Sequence, residues 1–193
     1  QNAKIGTSSL RRQAQILHFR SDFEMIPLRG NLDTRLKKLK TMSLDGIVLA
    51  LAGVKRLGLE ERITEIIPTD ISLPAIGQGA LGIETRLNDK MVEEQIQFLN
   101  DKDSWIAVSA ERAFLKKLEG GCQVPIAAFA RAVGTTLQID GLVGTIDGKR
   151  LIRHRMEGPI EKAESLGIEL AEILLGKGAK EILDEVYQRS SIG

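Results

Sequence analysis

Three times within the first sixty residues, a short apolar segment ends in a turn and gives way to helical spacing. No other feature of the sequence limits the fold as much. Lys4-Ile5-Gly6 reads as a strand end, and Thr7-Ser8-Ser9 then offers hydroxyl N-caps for a helix over Leu10 to Phe19. Glu24 to Leu28 reads as a strand, Arg29-Gly30-Asn31 as a turn and Leu32 to Leu39 as a helix. Leu44 to Leu51 is short, apolar and contains β-branched residues, which predicts a buried strand. Ala52-Gly53 then leads into a helix containing Val54, Leu57 and Leu59. Strand, turn and helix repeated in series predict an α/β fold with a parallel sheet.

The pattern breaks at Pro68 to Gly82, which is rich in proline and glycine and carries Leu73-Pro74-Ala75-Ile76-Gly77-Gln78-Gly79. Beyond it, Ala80 to Thr85 reads as a strand and Lys90 to Leu99 as a helix. Asp103 or Ser104 is placed to cap a further helix to about Leu118, which Gly120-Gly121 stops. Three strands follow near Val124–Val133, Thr136–Leu142 and Arg150–Met156, punctuated by Val133-Gly134 and Asp147-Gly148. Two helices close the sequence, Ile160 to Leu175 and Ala179 to Tyr187. Strands followed by helices predict an α+β unit, with a boundary near Asn100–Lys102.

Charge separates the same two parts. The net charge is only +1, yet residues 1–56 carry a balance of +7 and the remainder −6. Such asymmetry points to an anionic partner for the first part: nucleic acid, phosphates or polycarboxylates. The longest apolar stretch, Gly46 to Val54, is far short of the ~20 residues of a spanning helix. One cysteine makes no internal disulfide and no cysteine-rich metal site. Aromatic residues are only 4%, too few for base-stacking platforms. The first residues do not read as a signal peptide, because no basic segment leads into an apolar core.

Three constellations carry possible chemistry. In Gly6-Thr7-Ser8-Ser9-Leu10-Arg11-Arg12, a strand end and small hydroxyl residues open a helix, where backbone N–H groups and the helix dipole favour anions. Two arginines follow that can fork onto carboxylates or phosphates. The plainer reading is a capped helix with solvated arginines. In the second, Arg29, Arg35 and Arg56 fall at or just beyond strand ends, where parallel α/β sheets bind ligands. With Arg11 and Arg12 they could share one crevice; the plainer reading is scattered surface charge, which suits Lys37, Lys38 and Lys40 better. The third is Glu119-Gly120-Gly121-Cys122-Gln123-Val124-Pro125. A lone cysteine is usually a small buried hydrophobe. A glycine loop instead leaves the thiol open to approach, as a nucleophile or attachment point. His18 reads as a helix-surface residue and His154 as a strand residue, neither with a metal partner at ligand spacing. No glycine-rich dinucleotide or Walker-type sequence appears.

Together these segments resemble the porphobilinogen deaminase (hydroxymethylbilane synthase) family. The likeness is carried in order and register by Gly6 to Arg12, by Leu28-Arg29-Gly30-Asn31 with Thr34-Arg35-Leu36, and by Ala52-Gly53-Val54-Lys55-Arg56-Leu57. It continues through Leu73 to Ala80 and Glu119 to Pro125. The resemblance implies a transferase of tetrapyrrole (heme and porphyrin) biosynthesis that condenses four porphobilinogen molecules into hydroxymethylbilane and releases ammonia. It implies growth on a dipyrromethane cofactor held by a thioether at Cys122. Thr7, Ser9, Arg11, Arg12, Arg29, Arg35, Ala50, Gly53 and Gln78 match cofactor-binding positions, Ala50 and Gly53 as close backbone contacts and Gln78 as a position lining the cleft. Arg11, Arg29, Arg35 and Arg56 match positions that bind the acid side chains of the substrate. The implied fold is part of a periplasmic-binding-protein-like sheet domain, parallel or mixed, followed by a small α+β domain with a three-stranded antiparallel sheet.

The resemblance also implies a division of the chain. Residues 1–73 match part of a second, anion-binding domain, 74–100 a hinge and a return segment belonging to a first domain, and 101–193 a third domain carrying the cysteine. The catalytic aspartate is expected in the first domain; Asp33, Asp45 and Asp70 do not match it. The expectation is therefore a truncated, cytoplasmic chain, inactive alone and prone to self-association, with no nucleic-acid or membrane partner. The alternative from another class is a non-catalytic anion-binding module of the periplasmic-binding-protein kind, for which a thiol in a glycine loop has no use. A nucleic-acid-binding domain is disfavoured by the scarce aromatics and the absence of a reading motif.

Overall fold

A computed structural model describes residues 2–119 and 124–190. It contains a parallel and an antiparallel sheet of three strands each, with helices around both. In the first, β1 (Lys4–Gly6) lies between β2 (Glu24–Ile26) and β3 (Gly46–Ile47), all parallel. The connecting helices are α1 (Leu10–Phe19) and α2 (Leu32–Thr41), and α3 (Leu51–Arg56) follows β3. Because the strands are parallel, the segments leaving them at Thr7, Pro27 and Val48 emerge on one edge. Packing at the sheet is close: a Cβ on Gly6 would lie 2.9–3.1 Å from Leu44, Ile47 and Leu28.

The second unit is larger. β4 (Ile126–Val133), β5 (Thr136–Gly144) and β6 (Leu151–Pro159) form an antiparallel meander. On one face lie α5 (Lys102–Lys117), α6 (Ala163–Leu174) and α7 (Lys180–Ser190), which follow a short α4 (Lys90–Ile96). Alternation decides what faces them. Ile126, Ala128, Ala130, Leu137, Ile139 and Val143 point into one core with Phe114, Leu170 and Leu174. Ala127, Leu142 and Phe129 point the other way, and Leu73 packs on them. At Gly141 a Cβ would meet Phe114 and Leu170 at 2.8–2.9 Å, so the bare backbone is what lets two helices seat on the sheet.

Several expectations are corrected. Leu44 to Leu51 is not one buried strand: only Gly46–Ile47 pair, they are half-buried, and Leu51 already begins a helix. Ala80–Thr85 forms no strand, and Leu81 and Ile83 are exposed. A strand exists only through its ladder, and among the described residues no strand pairs with this segment. The cap of α5 is Asp101, whose Oδ1 accepts from the Ser104 N–H at 2.8 Å, rather than Asp103 or Ser104. The helix expected from Ile160 opens with a 3-10 turn, Ile160–Lys162. No helix among the described residues is long and apolar enough to cross a membrane.

The two units touch through specific bonds. The buried Gln15 side chain on α1 accepts from the Leu73 N–H at 2.6 Å and donates to the Leu73 carbonyl at 3.1 Å. His18 Nδ1 donates to the Gly148 carbonyl at 2.9 Å, so this helix-surface histidine also ties α1 to the β5–β6 loop. Arg153 donates to the carbonyls of Asp70 at 2.6 Å and Thr69 at 3.1 Å.

Candidate functional site

The carboxyl edge of the parallel sheet brings together Thr7, Ser9, Arg11, Arg12 and Arg35. β1 ends at Gly6, and Thr7 is buried with its Oγ1 accepting from the Ser9 N–H at 3.2 Å. Ser9 caps α1, its Oγ accepting from the Arg12 N–H at 3.5 Å. Ser8 Oγ accepts from the Leu28 N–H at 2.8 Å and so fastens the exit of β2 beside that of β1. An hydroxyl that accepts from the backbone keeps its own proton to donate, so Thr7 and Ser9 retain a donor each.

Arg12 Nη1 donates to the Val48 carbonyl at 3.0 Å, just beyond β3. Burial is the main influence on its guanidinium, followed by the charges of Arg11 and Arg35, and together they lower its pKa to about 10. Arg11, Arg12 and Arg35 therefore converge although they come from two helices. Arg35 is aimed by its Nε bond to the Gly30 carbonyl at 2.8 Å. Gly30 has φ +123°, a conformation that favours glycine, and Asn31 caps α2 through the Thr34 N–H at 2.9 Å. Among the described residues no carboxylate forms a salt bridge with Arg12 or Arg35.

The other positions are less tightly drawn in. Arg29 and Arg56 are exposed, and no hydrogen bond or ion pair among the described residues ties either guanidinium to the cluster. Lys38, expected to be solvated, donates to the Arg29 carbonyl at 3.0 Å and is half-buried. Ala50 is the N-cap of α3 and contributes only backbone. A Cβ on Gly53 would make ordinary contact with Leu32 at 3.8 Å, so the chain's own packing does not demand a glycine there. Gln78 is exposed on a turn between the units. Cys122 lies outside the described residues, as does Gln123.

Sequence reasoning missed three groups. Glu111 is buried on α5 and accepts from two backbone amides, Gly77 at 2.6 Å and Ala130 at 2.8 Å. Gln15 is the buried clasp described above. Asp140 is buried and accepts from both Arg153 and Arg155 at 2.6–3.0 Å. Arg155 also reaches Asp70 at 3.0 Å. The alternation Arg153-His154-Arg155 was a legible signal, because two arginines on one strand face need an acid opposite, and Asp140 pairs with Arg155 in the ladder. The described residues include no group of three or more His, Cys, Asp or Glu able to hold a metal ion.

The sequence matches known proteins over most of its length. Residues 1–94 match the family model "Porphobilinogen deaminase, dipyromethane cofactor binding domain", and residues 105–176 match "Porphobilinogen deaminase, C-terminal domain". The porphobilinogen deaminase of Geotalea daltonii is 54% identical over 189 residues, covering 98% of this chain and 59% of the relative. That of Pelobacter propionicus is 52% identical over 187 residues, covering 97% and 60%. That of Geobacter sulfurreducens is 54% identical over 189 residues, with 98% and 59% covered. The chain thus spans about 60% of the length of these curated relatives. Neither match supports the periplasmic-binding-protein alternative. With two successive domain models of one family filling most of its length and half its residues shared with named members, this chain belongs to the porphobilinogen deaminase family.

Proposed function

We propose that this chain supplies the polycarboxylate-binding edge and the cofactor-anchoring cysteine of a hydroxymethylbilane synthase acting in tetrapyrrole biosynthesis. The observation that carries this is the Arg11–Arg12–Arg35 cluster: burial and then the charges of Arg11 and Arg35 lower the pKa of Arg12, which has no salt bridge among the described residues. Such an arrangement is unfavourable by itself and becomes favourable when a multivalent anion enters. A dipyrromethane bearing acetate and propionate groups fits that donor set, because each guanidinium fork can take one carboxylate and stays charged.

In this reading Arg11, Arg12 and Arg35 hold the acid groups of the bound pyrroles, and Arg29 and Arg56, at the exposed rim, receive those of incoming porphobilinogen. Thr7 and Ser9 donate hydroxyl protons. Ala50 and Gly53 offer backbone without bulk, and Gln78 lines the opening from the hinge side. The Cys122 sulfur holds the cofactor by a thioether, which keeps the growing chain from diffusing away between condensations. When bound, the cofactor supplies the pyrrole carbon onto which substrate is joined. No residue here is assigned the catalytic carboxylate.

The same reading divides the chain at 73 and 100 into part of an anion-binding domain of periplasmic-binding-protein-like form, a hinge with a return segment, and a cysteine-bearing α+β domain. It places the protein in the cytoplasm, without a nucleic-acid or membrane partner. Intact-mass spectrometry provides the test. A mass increase equal to two linked pyrroles, lost in Cys122→Ala, is expected wherever the cofactor has been assembled. Calorimetry with a tetracarboxylate should show binding that weakens by about tenfold or more in Arg12→Gln, as expected for loss of a charge-assisted pair. Undiminished binding in that variant overturns the reading.

A further inference from the structure

The turn bearing Gln78 is fastened more firmly than an exposed loop requires. Two consecutive turns build it, closed by the Gln78 N–H on the Ala75 carbonyl at 2.9 Å and the Ala80 N–H on the Gly77 carbonyl at 3.1 Å. Gly77 and Gly79 occupy the third position of each with φ +67° and +95°, values that suit glycine. Ile76 packs against the core of the second unit.

The Gly77 N–H closes neither turn. It donates to Glu111 Oε2 at 2.6 Å, while Glu111 Oε1 accepts from the Ala130 N–H at 2.8 Å. Ala130 lies on β4, an edge of its sheet, so among the described residues this amide has no strand beyond it to bond. Glu111 is 4% exposed and forms no salt bridge among the described residues. Burial pushes its carboxyl above the ordinary range. A carboxylate in such a place is costly to desolvate, and its two amide bonds offset that cost; an apolar side chain would leave both amides without an acceptor. What it achieves is to join three elements: α5, β4 and the Gln78 turn. On the far side, Gln15 clasps Leu73 at both its N–H and its carbonyl. Residues 73–77 are thus held between the helix that carries Arg11 and Arg12 and the helix that leads towards Cys122.

We propose that Glu111 is a positioning residue, which locks the Gly77 amide to the β4 edge so that Gln78 is presented at a fixed place relative to the helix that carries Arg11 and Arg12. This rests on the reading of Gln78 as a ligand-lining residue. The clamp itself stands apart from it.

The test uses the 193-residue chain, amide hydrogen exchange by NMR, and butane-1,2,3,4-tetracarboxylate as probe. In the wild type the Gly77 amide should exchange slowly. In Glu111→Gln either the Gly77 or the Ala130 amide should exchange about tenfold or more faster, because the Gln side chain keeps one acceptor and turns a donor on the other amide, while the Leu170 amide in the α6 core is unchanged. Probe affinity should fall in Glu111→Gln and in Gln78→Ala, with the double variant no weaker than the poorer single one. Additive losses in the double variant overturn the positioning role. Fast exchange of the wild-type Gly77 amide overturns the clamp. If Glu111→Gln does not fold, the wild-type rate alone decides. If Gly77 is protected but the wild type takes up no probe, the clamp stands and the reading of the site fails. If the probe binds while Gly77 is unprotected, the site stands and the clamp falls.

Discussion

Arg12 is a cation kept half-buried beside two others, with a backbone carbonyl as its hydrogen-bond partner. Without a ligand, this arrangement should cost stability rather than supply it. Arg12→Met is therefore expected to leave unliganded thermal stability unchanged or raise it by about 0–2 kcal/mol, while polycarboxylate binding falls by at least about tenfold. Thermal denaturation with and without the ligand checks both. Glu111 offers a pH test. Its folded carboxyl titrates above the ordinary 4.5, chiefly through burial and against two amide bonds. Between those two values the folded state holds the proton more tightly than the unfolded state. The favourable contribution is complete below 4.5 and is lost as pH rises through the folded value. The stability of the wild type relative to Glu111→Gln should thus decline from acid towards neutral pH; a flat or rising difference in denaturant titrations contradicts it. The arginines were legible in sequence because each follows a strand end. Glu111 was not, because it stands beside Arg112 and close to Lys116 and Lys117, and nothing local marks it off from those solvated charges. Which charge turns inward is decided by how α6 and β4 pack against α5.

At the scale of elements, the hairpin loops show how one sequence signal can carry two different loads. Val133-Gly134 and Asp147-Gly148 both read as turns, and both glycines have positive φ, +60° and +69°. A Cβ on Gly134 would meet open space. On Gly148 it would lie 2.5 Å from the His18 N and 2.6 Å from the Ala14 carbonyl oxygen, both backbone of α1. Gly134→Ala should cost only the conformational penalty, about 1 kcal/mol. Gly148→Ala should cost about 1–3 kcal/mol more and loosen the hairpin from α1. Parallel urea titrations measure the difference, and equal costs would mean that the loop does not bear on α1. The same contrast explains how much of the fold could be read in advance. The β4–β6 meander was legible because alternation and turns are local and each strand pairs with its sequence neighbour. Ala80–Thr85 has the composition of a strand, but strand formation depends on a partner that no local pattern supplies. Leu44 to Leu51 failed for a related reason: a three-stranded sheet this short has little ladder to extend, and the chain turns into α3 instead.

Across the whole molecule, the two units are joined by Gln15 to Leu73, His18 to Gly148, and Arg153 and Arg155 to Asp70. The stretch between and beside them is a different matter. From Leu81 to Trp105 the chain exposes Leu81, Ile83, Leu87, Met91, Phe98, Leu99 and Trp105, with Leu87 at 91% and Phe98 at 81%. Isolated exposed apolar residues are ordinary, but seven within one short segment are a surface seeking cover. The chain should therefore associate with itself as concentration rises, and more readily in sulfate, which strengthens apolar burial. Trp105 is the only tryptophan and is itself 63% exposed, so association should shift its emission to shorter wavelength. Leu87→Ser with Phe98→Ser removes two of the most exposed apolar groups without opening the core, since neither is buried. That double variant should sediment as a monomer at concentrations where the parent does not, at an unchanged melting temperature. A parent chain that stays monomeric throughout, with tryptophan emission independent of concentration, would mean that these side chains find cover within their own molecule.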